Sequence, residues 1–164
     1  MEWKENTVKV AGGELVSPFS LRIIKEVSQK TSFSETSSLF DKWVGLPGTI
    51  GGAVAGNAGC FGFEAKDAVL EVTIFDMETG EYRTLGNTEL DFSYRHSILK
   101  DMPNWFLIDA VFRTDLVSDD TTDARTFRSG KQPGGFTCGS FFRNPVGDSA
   151  GRLIDQAGLK GYRT

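Results

Sequence analysis

The sequence is poor in cysteine and histidine. Its 164 residues include only Cys60, Cys138 and a single histidine, His96. Two cysteines are too few for a disulfide-stapled secreted scaffold, and together with one histidine they are too few for a zinc site built from those residues. We therefore expect a protein of a reducing compartment, the cytoplasm, that holds no metal ion.

The sequence also has no long hydrophobic run. No stretch approaches the roughly 20 apolar residues of a membrane-spanning helix, and the charged start at 1–6 does not resemble a signal peptide. The formal net charge is −4, which argues against a nucleic-acid partner. Apolar residues make up 39% and charged residues 24%, as in folded soluble proteins. A soluble domain acting on a small molecule, without membrane or nucleic acid, is the expectation.

Hydrophobic periodicity predicts a mixture of helices and strands. Helices are predicted at 17–30, with Ser17 as N-cap and Pro18 in the first turn, at 39–44, and at 149–157 between Ser149 and Gly158. Strands are predicted at 7–10, 69–75, 81–85 and 105–113. The strands at 69–75 and 81–85 have the pattern of a β-meander. Strict alternation in the last strand puts Phe106, Ile108, Ala110 and Phe112 on one face.

A polar segment at 116–128, rich in Asp and Thr, predicts a linker. We therefore place a domain boundary after residue 124, giving domains at 1–124 and 125–164.

Glycine is concentrated in one short segment. Within fifteen residues, where average usage predicts about one, the glycines are Gly48, Gly51, Gly52, Gly56, Gly59 and Gly62. Either a ligand lies against exposed backbone N–H groups, or tight turns pack closely on neighbouring chain. The spacing matches neither the dinucleotide fingerprint nor a phosphate-binding P-loop.

Ser140 stands between a glycine and two phenylalanines. A strand here would place Ser140 and Phe142 on one face, partly screened from water, so that the hydroxyl could donate a proton to a nearby carbanion. The alternative is a serine at the edge of the core, bonded to backbone. A hydrolytic triad is disfavoured because His96 is the only histidine and no nucleophile elbow surrounds the serine.

Two further groups of polar residues are candidates for binding. Arg95, beside Tyr94, offers a planar guanidinium suited to a carboxylate, or else forms a surface salt bridge. Around Ser140, the polar groups of Lys131, Arg143 and Asn144 suit phosphate or sugar hydroxyls, or else form a solvated rim. His96 by itself is better explained as a hydrogen-bonded structural residue.

Four strings taken together closely resemble the UDP-N-acetylenolpyruvoylglucosamine reductase (MurB) family. They are Leu46-Pro47-Gly48-Thr49-Ile50-Gly51-Gly52-Ala53 with Asn57-Ala58-Gly59, Tyr94-Arg95-His96-Ser97, Gly139-Ser140-Phe141-Phe142-Arg143-Asn144-Pro145, and Leu153-Ile154-Asp155-Gln156-Ala157-Gly158-Leu159-Lys160-Gly161. The resemblance implies reduction of the enolpyruvyl ether of UDP-N-acetylglucosamine to UDP-N-acetylmuramate, with bound FAD and with NADPH as hydride donor, in peptidoglycan synthesis.

The resemblance also implies roles for individual residues. Ser140 matches the serine that protonates the substrate carbon, and Arg95 matches the arginine that binds the substrate carboxylate. The substrate contacts are expected at Tyr94, Lys131, Arg143 and Asn144. The flavin contacts are expected at Pro47, Gly48, Thr49, Gly51, Gly52, Asn57 and Gly59.

The implied architecture is an α+β fold: the second half of a VAO/PCMH-type FAD-binding domain at 1–124, followed by the start of a MurB C-terminal substrate-binding domain at 125–164. We expect the chain to be a piece of the family protein, because the family carries a further glycine-rich flavin loop upstream and a catalytic glutamate downstream. Full FAD affinity and turnover are expected to need those parts.

Two alternatives stay open at this point. The first is a non-catalytic module that binds flavin or a nucleotide-sugar. The second is another flavoenzyme, acting on alcohols or amines. Arg95 and the Gly-Ser-Phe-Phe string argue against the second, because such oxidations develop no negative charge on a carboxylate.

Overall fold

The structure is a computed structural model that describes residues 1–30, 37–118, 124–131 and 140–162. The chain divides into two compact units, Met1–Gly130 and Lys131–Thr164. Each unit is described by itself below. The sequence-based boundary after residue 124 lies six residues before this division.

Helices and strands alternate irregularly along the described residues, as in an α+β fold. The strands are β1 Glu2–Lys4, β2 Thr7–Ala11, β3 Ser37–Ser38, β4 Gly59–Cys60, β5 Phe63–Glu64, β6 Val69–Asp76, β7 Glu81–Gly86, β8 Trp105–Arg113 and β9 Val117–Ser118. The helices are α1 Val16–Lys30, α2 Ile50–Ala55, α3 Ala65–Ala68, α4 Ala124–Lys131 and α5 Ala150–Gln156. Turns of 3₁₀ helix lie at Leu39–Trp43, Asn87–Leu90 and Ile98–Lys100. Across the described ranges, no helix is both long and apolar enough to cross a membrane.

Five strands form an antiparallel sheet in the order β1-β2-β8-β6-β7. The predicted hairpin of β6 and β7 is confirmed: Phe75 pairs with Tyr82, and the turn closes with Gly80 N–H donating to Asp76 O at 2.8 Å. The meander does not continue to β8, because β8 pairs with β6 rather than with β7. Trp105 fixes this pairing by donating from Nε1 to Asp76 Oδ2 at 3.0 Å.

A β-bulge interrupts the side-chain alternation of β8. Thr73 of β6 pairs with Asp109, but its neighbour Ile74 pairs with Leu107, so Ile108 has no partner on β6. One extra residue shifts every following side chain to the opposite face of the sheet. The prediction that Phe106, Ile108, Ala110 and Phe112 lie on one face is therefore wrong: Phe106 is 56% exposed and Ile108 40%, whereas Ala110 and Phe112 are fully buried.

One face of the sheet is covered by α1 and the first 3₁₀ turn, and an aromatic cluster fills the space between them. Its members, all nearly or fully buried, are Phe19, Phe40, Trp43, Phe63 and Phe112, with ring centroids 5.1 to 6.3 Å apart. Trp43 and Phe63 stand at the two ends of the glycine-rich segment. Burial of these two rings therefore anchors the chain to the core on both sides of the glycine-rich segment.

The helix α1 starts two residues before Pro18, the predicted first helical residue. The helix begins at Val16, whose N–H donates to Gly48 O at 3.0 Å, so Ser17 is not its N-cap. The Ser17 hydroxyl instead accepts a hydrogen bond from Gly45 N–H at 2.9 Å. The helix start and the glycine-rich segment are thus held to each other.

Part of the predicted linker at 116–128 is regular structure. Val117–Ser118 forms β9, which pairs with β3, and α4 begins at Ala124, which is buried. Because α4 buries this residue and carries Arg128 against other parts of the first unit, it is a packed element of that unit rather than a connector.

The second unit contains the predicted terminal helix. Ser149 caps α5 by accepting from Arg152 N–H at 3.2 Å, and Gly158 follows the helix with φ +70°. Both end signals are confirmed. The strand predicted through Ser140 and Phe142 is absent, since these residues are irregular and exposed. No backbone among the described residues pairs with them, and a strand needs such a partner.

Candidate functional site

Arg95 occupies a tight turn with a strained backbone. Ser93 and His96 exchange N–H···O bonds of 3.1 Å across the turn, which leaves Tyr94 and Arg95 at its corners. Arg95 takes φ +59°, a left-handed conformation that residues other than glycine rarely adopt. Lys100 Nζ donates to Arg95 O at 2.8 Å and helps to hold this conformation. Such strain persists only where the surrounding structure enforces it.

Asn57 is the main polar group that holds this turn. It is fully buried, with φ +40°. Its Nδ2 donates to Ser93 O at 2.9 Å and to Glu64 Oε2 at 3.2 Å, and its Oδ1 accepts from Lys66 N–H at 3.1 Å. One amide therefore joins the Arg95 turn to the segment around Glu64. Asn57 has no exposed atom in this structure that could make the predicted contact with a flavin.

The Arg95 guanidinium is anchored to backbone and keeps donors available. Nη2 donates to Gly59 O at 2.7 Å and Nη1 to Asn57 O at 3.4 Å, while the guanidinium carbon lies 5.1 Å from the centre of the Tyr94 ring. Arginine has five N–H donors. Within the described chain the other donors have no partner. This fixed cation can therefore donate two parallel hydrogen bonds to the oxygens of an anion such as a carboxylate.

Arg95 opens onto a cavity of about 370 Å³. Its lining consists of Gly59, Cys60, Gly62, Glu64, Lys66, Asp67, Tyr94 and Arg95. Glycine at position 59 is required here, since a Cβ would lie 2.6 Å from Glu64 Cγ. The predicted residues Gly59, Tyr94 and Arg95 therefore meet at one place.

Three lining residues, Glu64, Lys66 and Asp67, were missed by the sequence analysis. Lys66 Nζ lies 2.8 Å from Glu64 Oε2, and this hydrogen bond raises the pKa of Lys66. Asp67 Oδ2 accepts from Glu64 N–H at 2.8 Å at the start of α3. The spacing of two acidic residues at i and i+3 before a helical turn is a capping signal that could have drawn attention to this segment.

Cys60 forms part of the cavity wall together with Arg128 of α4. Its Sγ donates to Lys42 O at 3.0 Å and accepts from Arg128 Nη2 at 3.1 Å. Burial raises the pKa of the Cys60 thiol, although the positive charge of Arg128 opposes that shift. The thiol is therefore protonated at neutral pH and is a poor nucleophile.

The glycine-rich segment uses most of its N–H groups internally. The first three N–H groups of α2, those of Ile50, Gly51 and Gly52, donate to Glu14 O at 2.8 Å, Gly12 O at 2.8 Å and Thr49 Oγ1 at 3.3 Å. A Cβ at Gly51 would lie 3.2 Å from Gly12 O. Close packing therefore accounts for glycine at position 51, and these N–H groups are not available to an anion.

A different part of the segment could lie against a flat ligand. Pro47, Gly48 and Thr49 are exposed, and Gly48 takes φ +104° with open space around its Cα. The N–H groups of Gly48 and Thr49 have no acceptor among the described residues. An exposed edge with two backbone donors, a hydroxyl and little side-chain bulk fits the acceptor-rich edge of a flavin.

The remaining predicted residues belong to the second unit. Ser140 is exposed, as are Phe141 and Phe142, whose rings contact each other at 5.4 Å. Asn144 Oδ1 accepts from Ala150 N–H at 3.0 Å and so helps to cap α5. Arg143 is exposed. Lys131 ends α4, and its side chain lies outside the part of the chain that the structure describes.

The charged residues of the site do not form a metal-binding cluster. Within the described ranges, no group of three or more histidine, cysteine, aspartate or glutamate residues could hold a metal ion. His96 pairs with Asp101, Nε2 to Oδ1, at 3.1 Å.

Comparisons with known proteins agree with one another. The family model for the C-terminal domain of UDP-N-acetylenolpyruvoylglucosamine reductase matches residues 132–164. The reductase of that name from Limosilactobacillus reuteri is 44% identical over 124 residues, which cover 72% of this chain and 41% of the relative. That from Lactococcus lactis subsp. cremoris is 36% identical over 168 aligned positions, which cover 98% of this chain and 54% of the relative.

A solved structure extends the likeness to three dimensions. The crystal structure of UDP-N-acetylenolpyruvylglucosamine reductase (MurB) from Thermus caldophilus superposes with a TM-score of 0.74 at 30% identity. The match covers 98% of this chain and 57% of that one. The chain thus spans about half the length of the relatives that it matches. Over that span, the chain belongs to the UDP-N-acetylenolpyruvoylglucosamine reductase family.

Proposed function

We propose that this chain is the part of a flavin-dependent reductase that binds the enolpyruvyl carboxylate of UDP-N-acetylglucosamine enolpyruvate. The product would be UDP-N-acetylmuramate, a precursor in peptidoglycan synthesis, and so the reaction would serve cell-wall biogenesis, cell shape and cell division. A soluble nucleotide-sugar substrate and NADPH place the proposed reaction in the cytoplasm.

The observation that carries this proposal is the Arg95 cavity. A guanidinium anchored by Gly59 O and Asn57 O needs little reorganisation when an anion binds, because the surrounding chain already fixes its position. Reduction of an enol ether next to a carboxylate builds negative charge on that carboxylate. A preset cation at this point stabilises the charge in the transition state more than in the ground state.

The exposed edge at Pro47, Gly48 and Thr49 is where we propose that FAD lies, with Gly52 beside it on the surface. Bound FAD would supply the hydride, with NADPH as its source. The chain would contribute the Gly48 and Thr49 N–H groups to orient the ring. Gly51, Asn57 and Gly59, which were predicted to contact the flavin, would instead shape its site through their packing, since their polar groups form hydrogen bonds within the chain.

Ser140 is proposed to donate the proton to the substrate carbon, and Arg143, Asn144 and Lys131 to bind the nucleotide-sugar. The exposure of Ser140 favours the first of these assignments, because an exposed hydroxyl can reach a ligand. Tyr94 is proposed to cover the guanidinium of Arg95 from one side.

The test is a chimera in which this chain replaces the matching half of the Lactococcus lactis relative. We expect NADPH oxidation that depends on the enolpyruvyl substrate, and we expect Arg95→Met to lower kcat/KM by about 100-fold, as is typical when one charge-stabilising donor is lost. Arg113→Met is the matched control, because Arg113 pairs with Asp115 outside the cavity.

Flavin absorbance of the purified chimera reports folding independently of turnover. A yellow chimera that never oxidises NADPH with the substrate would favour the alternative, a non-catalytic binding module. Equal kcat/KM in the Arg95→Met and Arg113→Met proteins would refute the role of Arg95.

A further inference from the structure

Arg95 has an acidic neighbour in its own cavity with which it does not pair. A Cβ at Gly59 would lie 2.6 Å from Glu64 Cγ and 3.2 Å from Arg95 Nη1, so the two side chains flank the same point. Opposite charges this close ordinarily form an ion pair. In this structure the carboxylate of Glu64 pairs with Lys66, and Arg95 bonds to backbone carbonyls.

Two residues hold the Glu64 carboxylate on its own side of the cavity. Lys66 Nζ lies 2.8 Å from Glu64 Oε2, and Asn57 Nδ2 donates to the same oxygen at 3.2 Å. Asn57 also accepts from Arg95 through its backbone oxygen. The buried asparagine therefore touches both charged groups and sets their separation.

The separation matters for an external anion. If Glu64 turned to Arg95, its carboxylate would occupy the guanidinium edge that a ligand carboxylate needs, and it would also repel that ligand. A carboxylate already bonded to an ammonium and an amide loses those bonds when it turns. Glu64 is thus a potential competitor for Arg95 inside the cavity, and its bonds to Lys66 and Asn57 keep it from binding there.

We propose that Lys66 and Asn57 are positioning residues that hold Glu64 away from Arg95, so that Arg95 is free for the carboxylate of a ligand. This inference rests on the proposed function, in which that ligand is an enolpyruvyl ether. Lys66 acts only through Glu64.

The test uses the full 164-residue chain and 2-methoxyacrylate, the smallest enolpyruvyl ether, titrated by NMR at constant ionic strength. We expect Lys66→Met to weaken binding about 3- to 5-fold, the upper range for one partly exposed competing ion pair. Lys66 is exposed, so its replacement should not unfold the protein. Lys66→Arg should stay within about twofold of wild type, because it keeps a cation beside Glu64.

A double-mutant cycle separates this mechanism from simple loss of positive charge. If Lys66 acts through Glu64, Lys66→Met should change the affinity less than about twofold in a Glu64→Gln background. If it attracts the ligand directly, the full loss should persist there, which would overturn the inference. Lys9→Met is the matched control, because it removes a cation paired with Asp109 on the sheet and outside the cavity.

Two further measurements distinguish failure of the inference from failure of the proposed function. Binding of 2-methoxyacrylate that is unchanged by Arg95→Met, or no binding to wild type, would remove Arg95 as the carboxylate site and the inference with it. With Arg95-dependent binding established, a crystal structure of Lys66→Met should show Glu64 within 4.0 Å of Arg95 Nη1 or Nη2. A Glu64 that stays in place would refute the positioning role alone.

Discussion

At the scale of single residues, backbone strain is concentrated around the proposed site. Among the described residues, left-handed φ values outside glycine occur at Glu5, Asn57, Phe61, Asp91 and Arg95. Three of these five lie in or beside the Arg95 cavity. Each such residue costs about 1–3 kcal/mol, and the cost is sustained where neighbouring bonds leave no alternative. Asn57 is the one whose side chain also bonds in three directions.

Replacing Asn57 should separate its backbone strain from its hydrogen bonds. Asn57→Gly removes the amide but suits φ +40°, and we expect it to lower the free energy of unfolding by about 2–4 kcal/mol, since Lys66 N–H and Ser93 O lose buried partners. Asn57→Ala should cost about 1 kcal/mol more because of the left-handed backbone. Urea unfolding measures both, and equal stability of the two variants would contradict the strain argument.

At the scale of elements, the bulge in β8 decides which side chains of the sheet are buried. Before the bulge, Trp105 and Leu107 face the core, and after it Ala110 and Phe112 do. The exposed side chains next to the bulge are Phe106 and Ile108. The sequence does not reveal this change, because both sets of alternate residues in β8 are largely apolar and either set could be the buried one.

Because of the bulge, we expect the larger side chain, Phe106, to contribute less to stability than Leu107. Phe106→Ala should lower the free energy of unfolding by about 1 kcal/mol or less, because most of that ring is already in water. Leu107→Ala should cost about 2 kcal/mol or more, because it leaves a cavity against the core. Chemical denaturation of the two variants checks this. A larger loss for Phe106→Ala would mean that the strand alternates without a bulge.

Arg128 is one of the side chains that hold helix α4 to the rest of the first unit, beside the buried Ala124 and the Phe127 ring, which lies 5.3 Å from that of Phe61. Arg128 donates to Lys42 O at 2.7 Å, to Val44 O and to Cys60 Sγ, and its guanidinium lies 5.3 Å from the centre of the Phe61 ring. These contacts join residues more than 60 positions apart. They also support the cavity wall at Cys60.

Arg128→Met should release this helix. We expect a loss of about 1.5–3 kcal/mol in the free energy of unfolding, the range for charge-assisted bonds to partly buried carbonyls, and faster hydrogen exchange at the amides of α4. Arg113→Met should change the stability by no more than about 0.5 kcal/mol, because its pair with Asp115 is exposed. Similar losses in both variants would show that α4 does not depend on Arg128.

At the scale of the whole molecule, the chain spans about half of its relatives and divides into two units. The proposed roles fall on both units, Arg95 on the first and Ser140 on the second. Catalysis by the proposed mechanism would therefore need residues from both units.

Much of the fold could be predicted from the sequence, because its signals are local. The β6–β7 hairpin follows from alternation and a turn-rich loop, and α5 follows from Ser149, its apolar spacing and Gly158. The placement of β8 beside β6 could not be predicted, since it depends on pairing between residues far apart in the sequence, from Asp76 with Trp105 to Val69 with Phe112. The N-cap of α1 was missed because the Ser17 hydroxyl bonds to Gly45 instead.

The sequence by itself determined the family, the α+β class and the candidate residues Arg95 and Gly59, because those depend on residue types and their order. Only the tertiary structure decided that Asn57 is buried, that Gly51 serves close packing and that Glu64 shares a cavity with Arg95. The reason is physical: a side chain's partner is set by which distant segments the buried aromatic core brings together, and no local pattern encodes that distance.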